Sequence, residues 1–152
     1  MDKRFLGTTA TRRRMLGVNL LELMIVVLII GVLGMIAVPS YRQYTMRAHR
    51  AEAKNALLQL QTNQERFYLL NRRYGTVAEL QGANLLANPA RSERGTYDID
   101  MPVPPDAAGF TARATPRPGN NPDQTADVAC TSFLITAQSV RTATGADAAN
   151  CW

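Results

Sequence analysis

Histidine is almost missing from this chain of 152 residues, and His49 alone cannot build a multi-histidine metal site. The phosphate-cradling pattern Gly-x-x-x-x-Gly-Lys-Ser/Thr is absent, as is the Gly-x-Ser-x-Gly elbow that presents a nucleophilic serine. No nucleophile has a visible base, and His49 reads as a solvated residue among charges. Internal repeats and long low-complexity tracts are lacking too. No catalytic residue and no cofactor is therefore expected. Two acidic groupings remain. Asp98 and Asp100 alternate with apolar neighbours and read as the polar face of a strand. Asp123 and Asp127, with Asn120 and Asn121, offer oxygens to calcium, but their spacing is not that of an EF-hand, and no metal is expected.

Cysteine is scarce: Cys130 and Cys151 are the only two. Two cysteines allow one pairing, the alternative being two free buried thiols. A bond closing a loop of about twenty residues stabilises by roughly 3 kcal/mol in the chain-entropy model.

Charge is missing from the longest apolar stretch. Residues 20–38 hold one ionisable group, Glu22. Nineteen residues at about 1.5 Å each span about 28 Å, close to a bilayer's hydrocarbon core of roughly 30 Å. The formal net charge of +5 is uneven: residues 1–17 carry +4 and residues 18–152 carry +1. Cationic excess before a span favours retention of that end in the cytoplasm, which puts the cysteines on the translocated side, where disulfides persist. A carboxylate in lipid costs up to about 3 kcal/mol at mid-membrane and less near an end. Glu22 therefore needs a partner, or it snorkels to the interface.

A secretory signal carries its small-residue cleavage site after the apolar stretch. Here Gly17 comes before it, and no Ala-x-Ala pattern precedes Pro39. On physical grounds alone an uncleaved signal anchor, with Gly17 incidental, remains open.

The run Arg12-Arg13-Arg14-Met15-Leu16-Gly17-Val18-Asn19-Leu20-Leu21-Glu22 resembles the class III signal of type IV pilins and pseudopilins. Val18 stands where that family usually has Phe or Met. Gly31 and Pro39 fall where pilins loosen or kink their helix, and Val38-Pro39-Ser40-Tyr41 looks like the family's Ile-Pro-x-Tyr segment. Gln64-Glu65-Arg66-Phe67-Tyr68, residues 110–116 and the final Cys151-Trp152 look like PilE-type minor pilins in particular.

The resemblance implies a prepilin peptidase that cuts between Gly17 and Val18 and then N-methylates Val18. Glu22 would meet the new terminal cation of a neighbouring subunit, setting register in a helical stack. It implies an α+β fold in which a long kinked N-terminal helix packs on an antiparallel β-sheet. The organisation is then a removed leader at 1–17, a transmembrane and fibre-core helix at 18–38, its amphipathic half at 39–70, and a globular part at 71–152 with a disulfide-closed C-terminal region.

The residues agree with that outline. Ala53, Ala56, Leu57, Leu60 and Phe67 recur at helical spacing, while Gln64 falls on the same stripe and spoils it. Pro39 lacks an N–H for the helix ladder. A short helix is expected at 76–80 and strands at 96–101, 110–115 and 129–138, with a further short one at 140–143. Residues 115–124, rich in Pro, Gly and Asn, read as a loop.

The expected function is a minor pilin subunit that primes pilus assembly or supports adhesion and twitching motility. Alternatives are a major pilin, a type II secretion pseudopilin, or an uncleaved single-pass periplasmic binding protein. Expected partners are other pilins, major and minor, through helix packing, the prepilin peptidase, the inner-membrane assembly machinery, and membrane lipid before assembly. DNA is an unlikely partner: Arg91, Arg94, Arg113 and Arg117 could form a patch, but +1 offers little non-specific attraction. The expected location is the inner membrane, crossed once with the N-terminus cytoplasmic and the globular part periplasmic, and later the extracellular pilus.

Overall fold

The computed structural model describes residues 19–119 and 123–152. The chain forms two compact units, one ending at Val38 and the other running from Pro39 to Trp152. Helix α1, Leu20–Asn71, contributes to both.

In the first unit Asn19 starts the helix. Its side-chain oxygen accepts the Leu21 N–H at 3.3 Å, and its carbonyl accepts the Leu23 N–H at 3.1 Å. An Asn in this position satisfies a donor that the first turn leaves free. From Leu20 to Val38 the large apolar side chains are exposed all round the helix. The helix is the one element among the described residues that is long and apolar enough to cross a membrane. It is helical without a break through Gly31, Gly34 and Pro39.

The second unit is a helix laid on a sheet. His49, Ala53, Leu57, Leu60, Gln64 and Phe67 recur every three or four residues and form the buried stripe of α1. The sheet has strands β1 (Tyr97–Val103), β2 (Thr111–Pro116), β3 (Ser132–Thr136) and β4 (Arg141–Thr144) in the order β1-β2-β3-β4, every neighbour antiparallel. Each strand pairs with its neighbour in sequence, so short connections suffice. Tyr97 and Ile99 point from β1 into the core, Ala112 and Ala114 from β2, Phe133 and Ile135 from β3, and they close over Leu57, Leu60 and Leu80. Chain order and sheet together make an α+β fold, the long N-terminal helix and antiparallel sheet expected above.

Element limits shift in detail. β1 runs to Val103 because one extra residue is accommodated between Asp100 and Val103, where the register changes. Pro102 lies there and cannot donate to a ladder, a usual setting for a bulge on an edge strand. The third strand is shorter than its apolar pattern suggested, because Ala129 and Cys130 turn toward the C-terminal segment: the Ala129 carbonyl accepts the Asp147 N–H at 3.0 Å.

The short helix, α2 (Val77–Gly82), opens with a capping box. Thr76 Oγ1 accepts the Glu79 N–H at 3.3 Å and Glu79 returns a carboxylate oxygen to the Thr76 N–H at 2.8 Å. Arg73 holds the same carboxylate with both guanidinium arms.

Two helix residues correct the sequence reading. His49 is buried, not solvated, because Gln124 arrives from a distant loop and meets its Nδ1 at 3.2 Å. Gln64 does not spoil the stripe. Its Nε2 donates to the Gly75 carbonyl at 2.6 Å and its Oε1 accepts the Gly75 N–H at 2.9 Å. The amide completes the hydrogen bonding of a buried backbone turn, which an apolar side chain could not do. Gly75 leaves room for the Phe67 ring: a Cβ there would come within 2.9 Å of it and force the ring to shift.

Candidate functional site

The residues that carry functional expectation lie in two places, described in turn. On the first unit, Glu22 occupies the first turn of α1 and is exposed. An acidic group there suits the positive end of the helix dipole. Among the described residues it makes no ion pair. Gly31 and Gly34 have nothing within 4 Å of where a Cβ would stand, so neither is demanded by close packing within the subunit. Gly17 and Val18 lie outside the described residues, as do Asn120 and Asn121.

On the second unit, Cys130 and Cys151 are joined in a disulfide, and both are buried. The bond ties the C-terminal segment beside β3. Backbone bonds support it: the Ala146 N–H reaches the Val128 carbonyl at 2.9 Å. Gly145 turns the chain with φ +130°, and a Cβ there would sit 2.3 Å from the Ala129 carbonyl oxygen. Beyond the disulfide, the Trp152 indole donates to the Thr142 carbonyl at 2.5 Å, meets the Phe133 ring edge-on at 6.0 Å between centroids, and lies under the Arg141 guanidinium at 5.7 Å.

A polar cluster next to this closure carried no signal in the sequence. Arg50 Nε donates to Asp127 Oδ2 at 2.6 Å and its Nη2 donates to Oδ1 at 2.7 Å. The Asp127 side chain is 2% exposed. Its Oδ1 also accepts the Cys130 N–H at 3.3 Å, so the cluster fixes the segment before β3 that bears the disulfide. Gln124 joins through Nε2, which donates to the Met46 carbonyl at 3.3 Å. The hydrogen bond to Asp127 holds the Arg50 guanidinium charged, its pKa raised above the usual value against the cost of burial.

The carboxylates weighed for other chemistry are occupied by protein partners. Asp127 serves Arg50, and Asp123 caps the short turn Gln124–Ala126 by accepting from the Thr125 N–H at 2.9 Å. Asp98 binds Arg91 Nε at 3.0 Å, and Asp100 binds Arg113 Nε at 3.0 Å. The same two pairs take up half of the arginines that could have formed a basic patch. Among the described residues no group of three or more His, Cys, Asp or Glu stands ready to hold a metal.

Residues 39–134, more than half of the chain, match the family model described as type IV minor pilin ComP, DNA uptake sequence receptor. The chain is similar to the type IV major pilin protein PilA of Myxococcus xanthus (strain DK1622), 37% identical over 106 residues that cover 61% of this chain and 46% of the relative. It is also similar to the type IV major pilin protein PilE1 of Neisseria gonorrhoeae, 37% identical over 87 residues that cover 57% of this chain and 51% of the relative. The chain thus spans about half the length of the curated relatives it matches.

Proposed function

The chain belongs to the ComP family of type IV minor pilins, and from that membership we propose that it is a minor subunit of a type IV pilus. The observation that carries the reading is the first half of α1. An apolar surface exposed all round a helix, with one carboxylate near its start, is stable only in lipid or among other such helices. The subunit waits in the inner membrane, N-terminus cytoplasmic and globular body periplasmic, and then joins the fibre.

Processing converts one state to the other. A prepilin peptidase removes residues 1–17, and Val18 becomes a methylated terminal cation. In the fibre that cation meets Glu22 of a neighbouring subunit. Two charges that are each costly in lipid then satisfy one another, and their best-attested use is to set register. Gly31 and Pro39 are the weak points at which the helix bends or loosens as it packs, since Pro39 leaves a ladder bond unmade. The chain is a substrate of an enzyme rather than one itself. Mass spectrometry of the N-terminus of membrane-fraction protein tests the processing: Val18 as the first residue is expected, and an intact Met1 would leave an uncleaved anchor as the better account.

Abundance in sheared fibres separates a minor from a major subunit, which the major-pilin relatives keep in play. A priming or adhesive role predicts few copies per fibre.

A second reading rests on the matched family's description as receptors for a DNA uptake sequence. Arg91 and Arg113 are engaged by Asp98 and Asp100, which lowers their pull on phosphate. Mobility shift of a duplex under salt titration decides it, since each phosphate contact contributes to the salt slope.

A further inference from the structure

Residues 23–51 hold Arg42, Arg47 and Arg50 and no Asp or Glu. Arg50 is taken by Asp127. Arg42 and Arg47 are exposed and make no ion pair among the described residues. Tyr41 and Tyr44, interleaved with them, are 68% and 73% exposed. At about 100° per residue Tyr41, Tyr44 and Arg47 follow one another along one side of the helix and Arg42 stands off it, so the four together cover roughly 220° of the circumference. A helix lying flat on a membrane keeps such residues within one narrower face; a spread over more than half the circumference suits a helix that crosses the surface.

We infer that Tyr41, Arg42, Tyr44 and Arg47 form a collar that binds the phosphates of anionic phospholipids in the leaflet facing the globular body. The inference rests on the membrane-spanning reading of residues 20–38. Tyr41 comes three residues after Val38, so chain length alone keeps it near the headgroup layer. Tyrosine places an apolar ring and a polar tip across that boundary, and arginine extends an apolar stem beneath a charged fork suited to phosphate. Thr45 does not compete for the ligand, because its hydroxyl is bonded back to the Tyr41 and Arg42 carbonyls at 3.1 and 2.9 Å. The absence of any carboxylate from residues 23–51 leaves the two cations unopposed on their own segment. Such a collar holds the subunit at a fixed depth before extraction into a fibre.

The test uses the full chain in phosphatidylcholine vesicles doped with spin-labelled phosphatidylglycerol or spin-labelled phosphatidylcholine. The fraction of label immobilised at the protein gives the relative affinity. The chain should prefer phosphatidylglycerol by roughly thirtyfold, from two basic residues at the surface. R42Q/R47Q should bring that ratio near one, and R66Q/R72Q, which removes equal charge from the last turns of α1 and the residue just past its end, should keep it. No preference in the parent chain, a preference that survives R42Q/R47Q, or an equal loss in R66Q/R72Q would each overturn the collar. Displacement of the lipid by millimolar glycerol 1-phosphate would overturn it too, since the site would then serve a free phosphate. Loss of the chain from the vesicles on alkaline washing would overturn the membrane span along with it; retention without lipid selectivity overturns the collar alone.

Discussion

Arg50 and Asp127, 77 residues apart in the chain, meet in a two-pronged ion pair that holds α1 to the loop before β3. Removing one member leaves the other without its countercharge, although Asp127 would still accept from the Cys130 N–H and from Gln124 Nε2. Because the Asp127 side chain is almost wholly out of water while Arg50 is 22% exposed, losing the arginine is the harsher change. Arg50→Met should destabilise the body by about 3 kcal/mol, and Asp127→Asn by less, measured by denaturant unfolding in detergent. The double change R50M/D127L should recover most of the loss.

Gln64 predicts a different failure. Gln64→Leu keeps the volume close and adds apolar surface, yet it leaves the Gly75 N–H and carbonyl unpaired in the core. A loss of about 2 kcal/mol is expected. Amide exchange at Gly75 should quicken in the variant; unchanged protection would show that the side-chain amide is dispensable.

The start of α2 should be sensitive to acid. Hydrogen bonds from Arg73, and then from Thr76, pull the Glu79 carboxyl below its ordinary 4.5 to about 2. A carboxylate depressed on folding contributes its stabilisation fully above the ordinary value, and that contribution fades as pH falls through about 2. NMR titration of the Glu79 side chain should place its midpoint near pH 2, and Arg73→Gln should move it back toward the ordinary range.

Breaking the Cys130–Cys151 bond should act locally. Cys130→Ser with Cys151→Ser should cost about 3 kcal/mol. Hydrogen exchange should rise in residues 141–152, where β4 and the Trp152 contact depend on the closure. Helix α1 between residues 53 and 67 should keep its protection.

Glu22→Ala should spare leader removal and impair entry into fibres, read by comparing membrane and sheared-fibre fractions. Normal incorporation of this variant would remove the role proposed for Glu22.

Much of this architecture was legible because it rests on local repetition. The uncharged run at 23–38 and the stripe Ala53, Leu57, Leu60 and Phe67 are patterns of single elements, and the alternation of Tyr97 with Ile99 marks a face of β1. What was hidden depends on residues far apart. Nothing near His49 announces Gln124, and nothing near Arg50 announces Asp127, because loop residues are placed by the whole fold. Gln64 was legible as an anomaly and not as a solution, since its partner is a backbone turn that has no composition of its own. At Glu22 the residue type called for a partner or for snorkelling, because lipid tolerates so few carboxylates; the role in assembly came from the resemblance to pilins.

The bonds between α1 and the rest of the body are spread along it. Arg50 and His49 engage the loop before β3, Gln61 donates to Ser139 Oγ at 2.6 Å, Asn63 to the Leu85 carbonyl at 2.6 Å, and Gln64 to Gly75. Tension applied lengthwise to α1 would load these attachments as shear along the helix and would not peel them from one end. In the fibre proposed above, a subunit laced in this manner would pass force along its helix without shedding its outer face.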